Sequence, residues 1–275
     1  MEAIAIVAYV VCDDVVKNLK IREDKQCRMS LAETMTTAII AASEFGCNIE
    51  KARKALSSRY YIPKMLSKSQ LNRRLHKIDK FIWKAVLKKL RNELVNHGIP
   101  SEFIVDSAPV RACMRSRWGR NKMFCEKEDF GYCASQNEFF IGLKMHMICD
   151  DNAMPVELLL EPASKSDVGT FRKMSLADIP KNALIIGDKA YNDYKHEDML
   201  VQKRQIHLLP IRKKNSKRKG GGHMASERRK KRKKIETAFS CIGKLMPRAI
   251  HAVTKKGFKL KVLLFVVAYA FSKAF

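Results

Sequence analysis

Acidic residues are scarce in this sequence: 28 Asp and Glu stand against 54 Lys and Arg, for a formal charge of +26. A surplus of that size repels itself when the chain is compact, so an anionic partner is expected, and nucleic acid is the partner it fits. Long hydrophobic runs are also missing. The longest, Ala3 to Cys12 and Val262 to Phe271, are about half the roughly 20 residues that a membrane-spanning helix needs. The first run follows Glu2 and has neither a basic leader nor a small-residue cleavage site, so it does not read as a signal peptide, and a cytosolic protein is expected. Paired cysteines are absent too. Cys12, Cys27, Cys47, Cys113, Cys125, Cys133, Cys149 and Cys241 include no CxxC, which favours reduced thiols; a zinc knuckle from Cys113, Cys125 and Cys133 with His146 is the weaker alternative.

What is present is an ordinary globular apolar content, 46% of residues, arranged in two textures. The first hundred residues read as helical. SLAE (Ser30 to Glu33) is a capping box, and Leu31, Met35, Ile39 and Ala42 follow it at helical spacing. A second helix is expected over Ile49 to Ser58. A third is expected from Ser69, with Leu71, Leu75, Ile78, Ile82, Val86 and Leu90 on one face and Arg73, Arg74, Lys77, Lys80, Lys84, Lys88 and Lys89 on the other. That basic face suits either solvent or DNA.

After Ile99-Pro100 the pattern becomes strand-like. EFIVDSAPV (Glu102 to Val110) fits a buried strand, and a polar, Arg-rich stretch follows to about Gln136. FFIGLKMHMICDD and MPVELLLEPAS form a hairpin across a turn at Asp150-Asp151-Asn152. ALIIGDKAY (Ala183 to Tyr191) and IHLLPIR supply further strands between helices at Ser166 to Pro180 and Asn192 to Lys203. Three strands leading before a helix argue for a mixed sheet. From Arg212 to Lys234 the chain holds thirteen Lys or Arg and a single acid, Glu227. With Gly220 to Gly222 inside it, this segment reads as a flexible linker or a nucleic-acid arm. A helix resumes at IETAFSCIGKLM.

Asp106 stands within an apolar strand, where a carboxylate is costly unless paired. Asp188 ends another apolar run, and Glu236 follows the dense cationic stretch. Carboxylates converging from two strands and a helix would need divalent cations between them, and oxygen ligands suit Mg²⁺ or Mn²⁺. Each also has a plainer reading: a capping Asp106, a turn Asp188, a surface Glu236 paired with lysines. Asp150, Asp151, Glu157, Asp167, Asp193 and Asp198 compete as candidates. Lys189 and Tyr191 follow Asp188 closely, Lys144 and His146 share one side of a strand, and Arg212, Lys213 and Lys214 follow the last strand, placed to meet DNA backbone.

Several separated blocks, in order, carry a resemblance: MSLAETMTTAIIAA, YIPKMLSKSQLNRRLHKI, FIVDSAPV, FFIGLKMHMI, ALIIGDKAYND, LLPIRKKNSKR and IHAVTKKGFKLK. From about Ser30 to the C-terminus the chain resembles the DDE transposases of bacterial insertion sequences, in particular insertion-sequence family 982. The resemblance implies an RNase H-like α/β core, a mixed β-sheet flanked by helices, preceded by a helical N-terminal region. It sets the first acid on Asp106, the second on Asp188 and the final one on Glu236, holding two Mg²⁺ (or Mn²⁺) ions. Related enzymes carry a Tyr, Arg, Glu and Lys set around the last acid. Arg232 and Glu236 match it, whereas Arg229 holds the Tyr position and Gly243 the Lys position, with Lys244 one residue late.

The expected organisation is a helical, DNA-end-binding region at 1–98 and a catalytic core at 99–275, with a basic flexible segment at about 212–234. The expected reaction is metal-dependent cleavage and strand transfer on double-stranded DNA, both the terminal inverted repeats and the target. Arg73, Arg74, Lys189, Arg212, Lys213, Lys214, Arg229 and Arg232 are the DNA-binding candidates. A homodimer on DNA and a bacterial, nucleoid-associated cytoplasmic location follow from the same resemblance. The rival readings are an RNase H-like nuclease that never joins strands, and a non-catalytic DNA-binding relic of a transposase.

Overall fold

The capping box at SLAE forms as its spacing predicts. Ser30 Oγ accepts from Glu33 N at 3.0 Å, and the Glu33 carboxylate accepts from Ser30 N, so two backbone donors at the helix start are satisfied. The computed structural model describes residues 1–24, 26–94, 100–134, 136–212, 215–218 and 222–275. They form two compact units, 1–96 with 241–275, and 97–240. The helices are α1 (Glu2–Asn18), α2 (Leu31–Glu44), α3 (Ile49–Leu56), α4 (Lys68–Leu75), α5 (Lys80–Leu94), α6 (Asp167–Phe171), α7 (Tyr194–Arg204), α8 (Gly222–Leu245) and α9 (Lys255–Ala274). The strands are β1 (Glu102–Arg111), β2 (Phe130–Cys133), β3 (Glu138–Asp150), β4 (Pro155–Pro162), β5 (Leu184–Gly187) and β6 (His207–Pro210).

The first unit is all helical and centres on α2, which packs against α1, α3, α4 and α9. Met35, Ile39 and Ile40 are fully buried, each stabilising the unit by roughly 1.5–3 kcal/mol through apolar burial. Thr34, Thr36 and Thr37 are buried beside them at little cost, because their hydroxyls donate to the carbonyls of Ser30, Ala32 and Glu33 one turn back. The apolar run Val262 to Phe271 is the buried length of α9, which packs on α2 and α5. The sequence reading placed 99–275 in one core, but Cys241–Phe275 groups with the N-terminal helices, because α9 finds its apolar surroundings there. The 98/99 boundary itself lies outside the described residues.

One expected helix is two. The period from Leu71 to Leu90 continues across α4 and α5, but the helix stops at Leu75 and restarts at Lys80. Asp79 Oδ1 accepts from Phe81 N at 3.0 Å, a local bond that competes with continuing the helix.

In the second unit β1 lies between β3 and β5. It runs antiparallel to β3 and parallel to β5, and β5 runs parallel to β6. β3 also pairs antiparallel with β4 and with the short β2, an extra strand within the Arg-rich stretch that had not been expected. This is the mixed sheet expected of an RNase H-like core. Alternation along β1 divides the two faces. Phe103 and Val105 join Ile148, Phe171, Tyr191 and Leu200 in the main apolar cluster, which the α6 and α7 segments close. Glu102, Ile104 and Asp106 point the other way, toward α8.

The basic segment differs from its expectation as well. From Gly222 it is helical, so Arg228 to Lys234 form part of α8 and not a flexible arm. Like charges one turn apart cost a few tenths of a kcal/mol per pair. Acceptors on the sheet offset that cost: Lys231 Nζ meets both Glu102 carboxylate oxygens at 2.6 Å, and Lys234 Nζ donates to the Asp151 carbonyl at 2.7 Å. Lys213 and Lys214 lie outside the described residues.

Candidate active site

Asp106 and Asp188 are brought together by strand register. Ile104 on β1 pairs with Ile186 on β5, so two further residues along each chain set the two carboxylates side by side. Gly187 makes this fit, since a Cβ there would stand 3.1 Å from the ring of buried Tyr191. Asp188 then turns the chain: its Oδ1 accepts from Ala190 N at 2.6 Å, leaving the other carboxylate oxygen available.

The third acid comes from α8, and Arg232 links it to the first. Arg232 Nη2 donates to Asp106 Oδ2 at 2.6 Å, and the same nitrogen lies 3.8 Å from Glu236 Oε1 one helical turn on. Asp106 Oδ1 accepts from Ser107 N at 2.9 Å. Burial pushes the Asp106 carboxyl above its ordinary value; Arg232 and the Ser107 N–H pull it back, and neighbouring Asp188 pushes it up again. The opposing effects on Arg232 resolve upward: burial disfavours its charge, but Asp106, Asp188 and Glu236 together favour it. A guanidinium therefore sits among all three acids, with its buried Nε lacking a hydrogen-bond partner.

This arrangement bears on metal. Among the described residues no three His, Cys, Asp or Glu side chains are grouped closely enough to hold one ion. Asp106 and Glu236 meet across Arg232. The donor set is nonetheless three carboxylates, the chemistry that hard divalent cations take, and the site already draws a positive charge into its centre. Replacing the guanidinium by a divalent cation suits these residues. The cysteine alternative does not assemble: His146 is wholly buried, Cys125 is exposed, and none of the eight thiols forms a disulfide.

The competing acids have other occupations. Asp150 Oδ1 accepts from Asn152 N and Met154 N, shaping the β3–β4 turn. Asp193 caps α7 and pairs with Arg172, while Asp198 pairs with Arg218. Asp151 is exposed and offers its carbonyl to Lys234, and Glu157 is buried on β4. Asp167 is bound from the opposite face of the sheet. Ser107 Oγ donates to it at 2.8 Å, Lys144 Nζ lies at 3.3 Å and His146 Nδ1 at 3.7 Å. The spacing of Lys144 and His146 put them on one side of their strand as expected, but no spacing announced that Ser107 and Asp167 join them.

The cationic candidates divide by what they touch. Arg74 donates to the Met29 carbonyl and to Glu23 at 2.6 Å, tying the helical unit together. Arg212 makes two 2.7 Å bonds to buried Glu197 and one of 3.0 Å to Asn192. Arg73, Lys189 and Arg229 are exposed. Tyr191 is a packing residue: it is buried, edge-on to Phe171 at 5.8 Å between ring centres, with its hydroxyl unpartnered and pushed well up by burial.

Comparison with known proteins now decides the family. Residues 97–271, more than half of the chain, match the family described as Transposase DDE domain. The chain belongs to the DDE transposases. Among solved structures, the cryo-EM structure of a piggyBac transposase synaptic complex with hairpin DNA resembles this DDE transposase with a TM-score of 0.51. The match covers 98% of this chain and 75% of that one at 9% identity, a likeness of fold alone. No curated protein sequence matches the chain. The family match carries the transposase reading of the sequence, and the solved structure shares the fold. No described helix is long and apolar enough to cross a membrane.

Proposed function

We propose that Asp106, Asp188 and Glu236 are the catalytic acids of this transposase, and that they hold two Mg²⁺ or Mn²⁺ ions. The observation that carries this reading is the shared guanidinium: Arg232 donates to Asp106 at 2.6 Å and lies 3.8 Å from Glu236, with Asp188 beside them. Two divalent ions so held would activate an attacking oxygen and stabilise a leaving one in phosphoryl displacement. Asp106 and Asp188 are fixed by neighbouring strands, and Glu236 approaches from a helix with 58% of its side chain exposed, so the DNA-facing side of the site is open. Water attacks first and releases a 3′-hydroxyl, which then attacks target DNA. Neither step needs a covalent enzyme–DNA bond.

Double-stranded DNA is the substrate, both the terminal repeats of the element and the target. Exposed Arg73, Lys189 and Arg229 meet phosphates, and Lys213 and Lys214 belong to the same set by sequence. Arg74 and Arg212 support them indirectly by fixing the elements on which they stand. Bringing two ends together calls for two copies on DNA, in the nucleoid of a bacterial cytoplasm. The test incubates the protein and Mg²⁺ with a labelled duplex carrying the element's own end and a supercoiled target. Cut ends bearing 3′-hydroxyls, followed by joined products, support the reading. Cutting without joining would make the protein a nuclease, and DNA binding without either would make it a relic.

A further inference from the structure

The segment between β1 and β3 plays no part in the acid site, and it is unusual in composition. Its first half, Ala112 to Cys125, carries Arg115, Arg117, Arg120 and Lys122 and no acid; Glu126, Glu128 and Asp129 follow just before β2. It also leaves large rings in solvent: Phe130 is 42% exposed, Tyr132 48% and Phe139 61%. These are three of the exposed large apolar side chains of the second unit, gathered on one short hairpin.

The hairpin is built to present them. Tyr132 on β2 stands opposite Phe139 on β3, their rings 5.0 Å apart and tilted. Phe130 lies two residues away on the same side of β2, and Trp118 meets it edge-on at 6.0 Å. Arg115 lies 5.8 Å from the Trp118 ring centre. On the inner side, Gly131 lets β2 close on the chain after β4, since a Cβ there would stand 2.6 Å from the Ala163 carbonyl oxygen. The backbone is therefore pressed inward and the rings outward. A cross-strand aromatic pair alone would help to hold the hairpin together. That role does not account for the four cations of Arg115 to Lys122 beside it, while the nearby acids Glu128 and Glu138 are paired with Lys165 and Arg111.

We propose that Trp118, Phe130, Tyr132 and Phe139 form a stacking platform for unpaired bases of a DNA strand, with Arg115, Arg117, Arg120 and Lys122 neutralising its phosphates. The proposal rests on DNA as the substrate and extends it to a second contact surface. Exposed rings stack on base faces, which duplex DNA covers and an unpaired strand offers, and the Arg115 to Lys122 cations fit a polyanion. The position fits as well. β1 runs on from Asp106 to Arg111, roughly 17 Å at strand rise, before the chain enters this segment, so a strand leaving the acids along β1 reaches the rings.

The test is done in EDTA, where no cutting occurs, so its outcome is separate from that of the metal site. Binding of a single-stranded oligonucleotide about a dozen nucleotides long is compared with a blunt duplex of the same sequence, by anisotropy. Trp118→Ala and Phe139→Ala are each expected to weaken single-strand binding at least about fivefold, the factor that roughly 1 kcal/mol of base stacking represents, and to leave duplex binding nearly unchanged. Trp118→Phe keeps a ring and is expected to keep the affinity. Trp fluorescence should be quenched by the oligonucleotide in the wild type and not in Trp118→Phe, because the other tryptophan, Trp83, is fully buried. Equal losses on single strand and duplex, or no loss on either, would overturn the platform.

Discussion

Removing the Arg232 guanidinium exposes what it does for the acids. Arg232→Ala leaves Asp106, with a side chain only 15% exposed, without its counter-charge. Breaking a buried ion pair by deleting one partner costs roughly 3–5 kcal/mol, and the smaller side chain admits water here, so the lower end, about 3 kcal/mol, applies. At roughly 2–4 °C per kcal/mol for domains of this size, the variant should melt about 6–12 °C below the wild type in EDTA. A divalent cation then supplies the missing charge. Mn²⁺ at about 100 times its dissociation constant adds roughly 2.7 kcal/mol, and it should stabilise the variant more than the wild type, where the guanidinium must first be displaced. The loss should also depend on pH. A carboxyl held above its ordinary value in the fold destabilises the fold progressively as pH rises from its unfolded value, near 3.8, through the raised one. Arg232 limits that rise, so the deficit of Arg232→Ala should grow through this window, be complete at neutral pH and shrink below it. Thermal melts across pH, with EDTA or Mn²⁺, measure all three effects. A variant that melts with the wild type in EDTA, or two proteins equally stabilised by Mn²⁺, would refute the reasoning.

Two further outcomes follow from buried groups. His146 is wholly buried between Lys144 and Asp167, and burial pushes it down to about 4 from an ordinary 6.5. Its neutral form is favoured in the fold, so stability is fully present above pH 6.5 and is lost as pH falls toward 4. The loss is about 3 kcal/mol, and denaturant midpoints for His146→Phe should lack it. Arg212→Ala should destabilise the second unit by about 3 kcal/mol by leaving Glu197, 6% exposed, with only Arg218, while duplex affinity changes little. A large affinity loss with unchanged stability would instead make Arg212 a DNA contact.

What the sequence disclosed tracks how local the cause is. The capping box at Ser30, the strand around Asp106 and the turn at Asp150 depend on neighbours a few residues away, and each formed where the pattern put it. The break between α4 and α5 did not show, because the apolar period runs through it and only Asp79 marks the new start. β2 did not show either: four residues with a central glycine become a strand only because β3 extends past β1 to pair with them. Asp106 was suspect alone, as a carboxylate in an apolar run. Glu236 was not, being an exposed acid on a basic helix, and only the ordered blocks of the family resemblance singled it out. The partner of Arg232 was beyond any local pattern, since Asp106 lies 126 residues away. The cationic run looked like a flexible arm for the same reason: the acids that let it form a helix, Glu102 and Asp106, sit on a distant strand.

The central claim is that three acids form one metal site, and cleavage of a duplex bearing the element's own end tests it most directly. The reaction is run with Mg²⁺ and with Mn²⁺, using the wild type and Asp188→Ala, after circular dichroism shows both folded. The account predicts end-specific cuts by the wild type in either metal, none in EDTA, and none by Asp188→Ala although it still binds the duplex. Cleavage by Asp188→Ala at the wild-type rate would contradict it.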